Sequence, residues 1–147
     1  MHILKLIIMI QKTTLLLLLL LTVTFSSQAQ SNDKNTTLTE TAEDVVNRQL
    51  DAYNARDIDK FVDTYSEDIE IYDLNGKMTM KGHAQLRERY ADLFKNTPDL
   101  NCRIENRIKI NNKVIDKENV IMNGRKVEAV AIYEVANGKI KKVTFVR

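Results

Sequence analysis

Apolar residues in this chain keep a helical period through the first third of residues 39–147 and a period of two through most of the rest. Val46, Leu50 and Tyr53, with Val45 and Gln49 beside them, repeat at helical spacing behind Thr39 or Thr41, either of which can cap the helix. Asn54-Ala55-Arg56 ends it, and Asp57 is placed to cap a second helix whose Ile58, Phe61, Val62 and Tyr65 form one stripe. So short a link predicts a packed helical hairpin. After Asp68 the alternation turns strand-like: Ile69, Ile71 and Asp73 share a face, and Asn75-Gly76 returns the chain through Met78 and Met80. Gly82 opens a third helix carrying Leu86, Tyr90, Leu93 and Phe94, and Pro98, the only proline, closes it.

Beyond Pro98 every segment reads as a strand. In 102–110, Arg103, Glu105, Arg107 and Lys109 alternate against Ile104, Ile108 and Ile110. Asn111-Asn112 turns the chain into 113–122, Asn123-Gly124 into 125–135, and Asn137-Gly138 into 139–146. Three helices followed by long antiparallel hairpins predict an α+β fold: N-terminal helices packed on one face of a strongly curved antiparallel sheet.

Candidate chemistry begins at Asp73. Two isoleucines make its face a core face, so the carboxyl is expected in or at the mouth of an apolar hollow, where burial would raise its pKa toward the range useful for proton transfer. The competing reading has Asp73 hydrogen-bonding the hairpin backbone beside Asn75-Gly76. Asp116 and Glu118 share a face with Val114 and Val120. If that face looks inward, two acids enter the cavity; otherwise they pair across the sheet with Arg103, Arg107 or Arg125. Further on, Val127, Ala129, Ala131, Tyr133 and Val135 form an apolar face with small residues that leave room for a ligand, while Glu128 and Glu134 mark the outer or dimer surface. Gln49, Tyr53, Tyr72, Tyr90 and Phe94 complete the candidate ligand contacts, the tyrosines also reading as core aromatics with wet hydroxyls.

The N-terminus changes how charge is read. Lys5 and Lys12 precede and flank an apolar run from Leu15 to Phe25, and Ser27-Gln28-Ala29 offers small residues for signal peptidase. The pattern predicts a signal peptide over 1–29, a polar leader over 30–38, and export to the periplasm or medium. An uncleaved anchor is the rival, since Ile3 to Phe25 is long enough to span a bilayer. Losing Lys5 and Lys12 brings the 22 basic residues level with the 20 acidic ones. No basic tract remains to predict nucleic-acid or membrane partners. Cys102, the only cysteine, allows no internal disulfide and reads as a small half-buried strand residue. His2 leaves with the signal and His83 has no partner ligand, so neither a metal nor another cofactor is predicted.

Three segments together resemble the nuclear transport factor 2-like superfamily, in its SnoaL-like and ketosteroid-isomerase-like branch. They are Tyr53-Asn54-Ala55-Arg56-Asp57-Ile58-Asp59, then Tyr65-Ser66-Glu67-Asp68 leading into Ile69-Glu70-Ile71-Tyr72-Asp73, and Lys81-Gly82 with Ala129 to Val135 and Gly138-Lys139-Ile140. The resemblance covers about 40 to 146 and implies a cone-shaped fold around a small-molecule cavity, often assembled as a homodimer. It places Asp73 on the position of the isomerases' general base, but Gln49 stands where their helix tyrosine would be, and Ala131 falls near their protonated aspartate. The implied function is an exported pocket protein, with Asp73-mediated proton transfer on a small apolar carbonyl compound. The alternatives are a carrier for a small hydrophobic ligand and a dimerisation module.

Overall fold

The structure, a computed structural model, describes residues 40–146. The signal peptide and leader expected over 1–38 lie outside the described residues. Three helices are present: α1 (Ala42–Ala55), α2 (Ile58–Asp63) and α3 (Gly82–Asn96). Six strands complete the chain: β1 (Tyr65–Asp73), β2 (Met78–Lys81), β3 (Asn101–Ile110), β4 (Lys113–Met122), β5 (Arg125–Ala136) and β6 (Lys139–Val146). The fold is α+β, with one six-stranded sheet in the order β2-β1-β6-β5-β4-β3.

Local chemistry sets the ends of these elements. Thr41 caps α1 through a reciprocal box: its hydroxyl accepts from the Asp44 amide at 3.2 Å, and its own amide donates to Asp44 Oδ2 at 2.9 Å. Arg56 ends α1 in the left-handed conformation, φ 55°, and Asp57 caps α2 by accepting from the Lys60 amide. Asn123-Gly124 and Asn137-Gly138 both carry positive φ at the two turn residues, the backbone that tight hairpins need.

Three features depart from the sequence pattern. Two helices, not three, precede the first strand, because α3 follows the β1–β2 hairpin. Tyr65 is the first residue of β1 and not the end of a helical stripe: the Thr64 hydroxyl donates to the Phe61 carbonyl at 2.7 Å, closing α2, and Tyr65 pairs with Ile140. The sheet is mostly antiparallel, but β1 and β6 run parallel. No hairpin joins those two strands, so the direction of β6 is set by its turn from β5.

A bulge in β3 has the largest effect on the interior. Ile104 pairs with Glu118, but Asn106 pairs with Lys117, so Glu105 is the extra residue. The side-chain alternation inverts there. Ile108 and Ile110 turn outward, 58% and 56% exposed, while the Arg107 side chain turns in and is only 14% exposed.

The core lies between the helices and one sheet face. Val45 and Val46 of α1, Phe61 and Val62 of α2, and Leu86 and Tyr90 of α3 are buried against it. Opposite them stand Ile69 and Ile71, Val114 and Val120, Ala131 and Tyr133, and Val143. Both isoleucines beside Asp73 and the small-residue face of β5 therefore look inward, as their alternation predicts.

Candidate functional site

A cavity of about 1070 Å³ lies between α1, α3 and the inward face of the sheet. Gln49, Leu50 and Tyr53 of α1 form one wall, Tyr90 and Leu93 of α3 another, and Val120, Ala129 and Tyr133 belong to the sheet side. Alanine at 129 keeps the wall low on that inward face, where a larger side chain would project into the space.

Glu118 is the acid inside this cavity. It is 7% exposed, and Tyr133, itself 3% exposed, donates its hydroxyl to Glu118 Oε1 at 2.8 Å. Burial pushes the Tyr133 hydroxyl well above the ordinary phenol range, and the Glu118 charge adds to the shift. Tyr65, behind the cavity, is raised for the same primary reason, with Tyr90 and Glu118 contributing and the Gln49 side chain at its hydroxyl opposing. Tyr133 is thus held as a neutral hydrogen-bond donor facing a carboxyl in the cavity wall.

The two acids on the valine face of β4 have different fates. Asp116, 1% exposed, is gripped by Arg107 through two bonds: Nε to Oδ1 at 2.7 Å and Nη2 to Oδ2 at 2.6 Å. Arg107 also donates to Asn47 Oδ1 on α1 and lies 3.8 Å from Glu43. Asp116 is therefore half of the cross-strand ion pair that the alternation allowed, and it does not line the cavity. The β3 bulge makes this pairing, since unbulged alternation would turn Arg107 outward.

The remaining sequence-predicted residues divide in the same way. Asp73 borders the cavity, with Ile71 on the same face, but its Oδ1 accepts from the Lys77 amide at 2.9 Å, so the carboxyl also holds the β1–β2 turn. Tyr72 borders the cavity as well, yet its hydroxyl donates to Glu70 Oε2 at 2.8 Å, and Lys142 sits 5.0 Å over its ring. Phe94 packs in an aromatic cluster with Tyr53, Phe61 and Tyr90 and is not in the cavity wall. Ala131 is fully buried core outside it. Gln49, Tyr53, Tyr90, Glu118, Ala129 and Tyr133 do come together around one space.

Sequence reasoning missed the anchor that holds α1 over this space. Asn54 Nδ2 donates to the Cys102 carbonyl at 2.9 Å, and the Cys102 amide donates to Asn54 Oδ1 at 2.7 Å. A side-chain amide thus pairs with the edge strand as another strand would. Arg56 adds a bond to the Leu100 carbonyl. The signal was present in the Tyr53-to-Asp59 segment, where an asparagine in the last turn of a helix is otherwise a poor choice. Cys102 itself is buried at the cavity edge, and burial, with Glu118 and Asp116 nearby, pushes its thiol up to about 12. It stays protonated and inert. Among the described residues no three His, Cys, Asp or Glu side chains gather in a metal-binding arrangement.

This architecture defines a class. The sequence profile of the SnoaL-like domain matches residues 46–143, and the chain belongs to that family. Solved structures with the same fold include an uncharacterized cystatin-fold protein from Novosphingobium aromaticivorans, 22% identical with a TM-score of 0.68 over 73% of this chain and 98% of that one. A nuclear transport factor 2-like protein of unknown function from Cytophaga hutchinsonii is 15% identical, TM-score 0.62, over 72% and 88%. A SnoaL-like protein of unknown function from Burkholderia thailandensis is 17% identical, TM-score 0.61, over 71% and 92%. No curated protein matches the sequence. At these identities the likeness is one of fold.

Proposed function

We propose that this protein takes a small, largely apolar molecule into the cavity beneath α1 and α3, with Glu118 and Tyr133 meeting its polar group. One observation carries the reading: a buried carboxyl–phenol pair forms part of the wall of an open space. The pair sets an acceptor and a donor beside a space large enough for a ligand. Native mass spectrometry of the purified protein tests this directly. A retained small molecule, or uptake of an apolar probe that Ala129→Leu weakens, is the expected result. A protein that stays empty with every probe offered overturns it.

A second reading adds turnover. Of the carboxyls that border the cavity, Asp73 and Glu118 stand on the sheet, and either could move a proton next to a carbonyl of the bound molecule, with Tyr133 or Gln49 donating to the oxygen. Turnover of a found substrate that survives both Asp73→Asn and Glu118→Gln unchanged removes these acids from the chemistry.

The protein is exported in this reading, supported by the charged, apolar and small-residue sequence of 1–29; N-terminal sequencing of the secreted product should begin at Gln30. It assembles as a homodimer through the outer sheet face. There Ile108, Ile115 and Ile132 stand in register across three strands as an apolar row.

A further inference from the structure

The charge around the cavity narrows the class of ligand, an inference that rests on the binding reading above. Among the residues lining the space, the carboxyls are Asp73, Glu88, Asp92 and Glu118, and the only base is Arg89. The chain as a whole carries 22 basic residues against 20 acidic, so this surplus is not a reflection of composition. It is local.

Elsewhere most acids are matched. Glu40, Glu43, Asp59, Asp63, Glu70, Glu105 and Glu134 each sit against a lysine or arginine. Glu88 and Asp92 make no ion pair among the described residues, as is also true of Asp44, Asp51, Glu67 and Asp99 away from the cavity. On α3 Glu88 and Asp92 stand four residues apart, where like charges repel, and both border the cavity. Arg89 lies between them in sequence, yet it also makes no ion pair among the described residues. Glu118, 7% exposed, carries the same sign to the interior.

Charges that line one hollow add their fields within it. An anionic ligand would meet acids at the mouth and again inside. A neutral ligand gains at most a hydrogen bond from them, whereas a cation adds charge attraction to that bond.

We propose that the ligand is a hydrophobic amine, a protonated nitrogen on an apolar frame, with the nitrogen held at Glu118 and the frame lying against Leu50, Leu93, Val120 and Met122. The acids on α3 then serve to draw the cation in from solvent and to disfavour carboxylates of the same shape.

The test uses three probes of one frame: phenylbutylamine, phenylbutanol and phenylbutyrate, titrated calorimetrically into the purified protein. The amine should bind at least tenfold more tightly than the alcohol, with the carboxylate weakest. Glu118→Gln, which keeps the shape and the Tyr133 contact, should bring amine and alcohol level. Glu88→Gln with Asp92→Asn, both on the exposed surface of α3 and harmless to folding, should halve the preference or more and flatten its dependence on salt. If the alcohol or the carboxylate binds as tightly as the amine, the amine assignment falls and the cavity reading stands. If none of the three binds, both fall together.

Discussion

Arg107 grips Asp116 from the neighbouring strand through two bonds of 2.7 and 2.6 Å, with the carboxyl 1% exposed. Removing either partner strands the other charge in the core. Asp116→Ala or Arg107→Ala should cost about 3–5 kcal/mol in urea unfolding. Replacing both at once, Arg107→Met with Asp116→Leu, should recover most of that loss, because well-packed apolar residues often equal a buried ion pair. A double variant no more stable than the singles would mean that the contact of Arg107 with Asn47 and Glu43 on α1 is the more important part.

Tyr133→Phe deletes the phenol that serves Glu118 and leaves the ring in place. A carboxyl deprived of a buried donor costs about 1–3 kcal/mol. Chemical denaturation should show that loss, and ligand capture by the cavity should weaken with it. An unchanged midpoint would show that other contacts of Glu118 suffice.

Alkaline pH should weaken the fold earliest through Cys102. Its thiol is pushed by burial from an ordinary value of 9 up to about 12. Above pH 9 the unfolded chain gives up the thiol proton while the folded chain keeps it, so stability falls as pH rises, by at most ~1.4 kcal/mol per pH unit. Below that window the group contributes no slope. Tyr65 and Tyr133, raised from 10, add to the decline only higher up. Between pH 9 and 10 the slope in urea midpoints should shrink in Cys102→Ala, and the native thiol should resist alkylation until the protein is unfolded.

Asn54→Ala should loosen the seat of α1 on the edge strand. It leaves an amide and a carbonyl of Cys102 without their side-chain partners, at a cost of about 2 kcal/mol. Hydrogen exchange should speed at Cys102 before it does at Val114 or Ile140, which lie in the middle of the sheet. Uniform acceleration would mean that Asn54 is not a local pin.

The proposed dimer has its own test. Ile108, 58% exposed, stands on the edge strand at the end of the outer apolar row. Ile108→Lys should convert a sedimenting dimer into a monomer with little change in monomer stability. A wild-type protein that sediments as a monomer at micromolar concentration removes the dimer proposal.

Most of the fold could be read from residues 39–146 because each local signal agreed with its neighbours. Thr41, Asp57, the Asn-Gly pairs and Pro98 mark real boundaries, and strict alternation in β5 identified its inward face. Beyond the order of the helices and the start of β1 at Tyr65, two places resisted. In β3 the sequence gives no mark of the extra residue at Glu105, so simple alternation sends Ile108 and Ile110 inward and Arg107 out, the reverse of what occurs. The parallel β1–β6 pairing is a contact between segments far apart in the chain, and nothing local encodes it.

The candidate site was legible by face and not by partner. The residue types that would gather around one space were readable on α1, α3 and β5. Which of Asp116 and Glu118 would be neutralised depended on Arg107 and hence on the bulge. For Asp73, the hairpin contact to Lys77 and a place beside the cavity proved compatible, because a carboxyl has two oxygens.

Strand β6 lies between β1 and β5, joining a two-stranded half of the sheet to a three-stranded half. The β1–β2 half leaves the ribosome well before residues 139–146, whereas the three-stranded half is complete at Ala136, only a two-residue turn ahead of Lys139. The early half must therefore wait for the last hairpin to join it to the rest, and a chain cut short before Lys139 should leave β1 and β2 severed from the other three strands and not merely lack one.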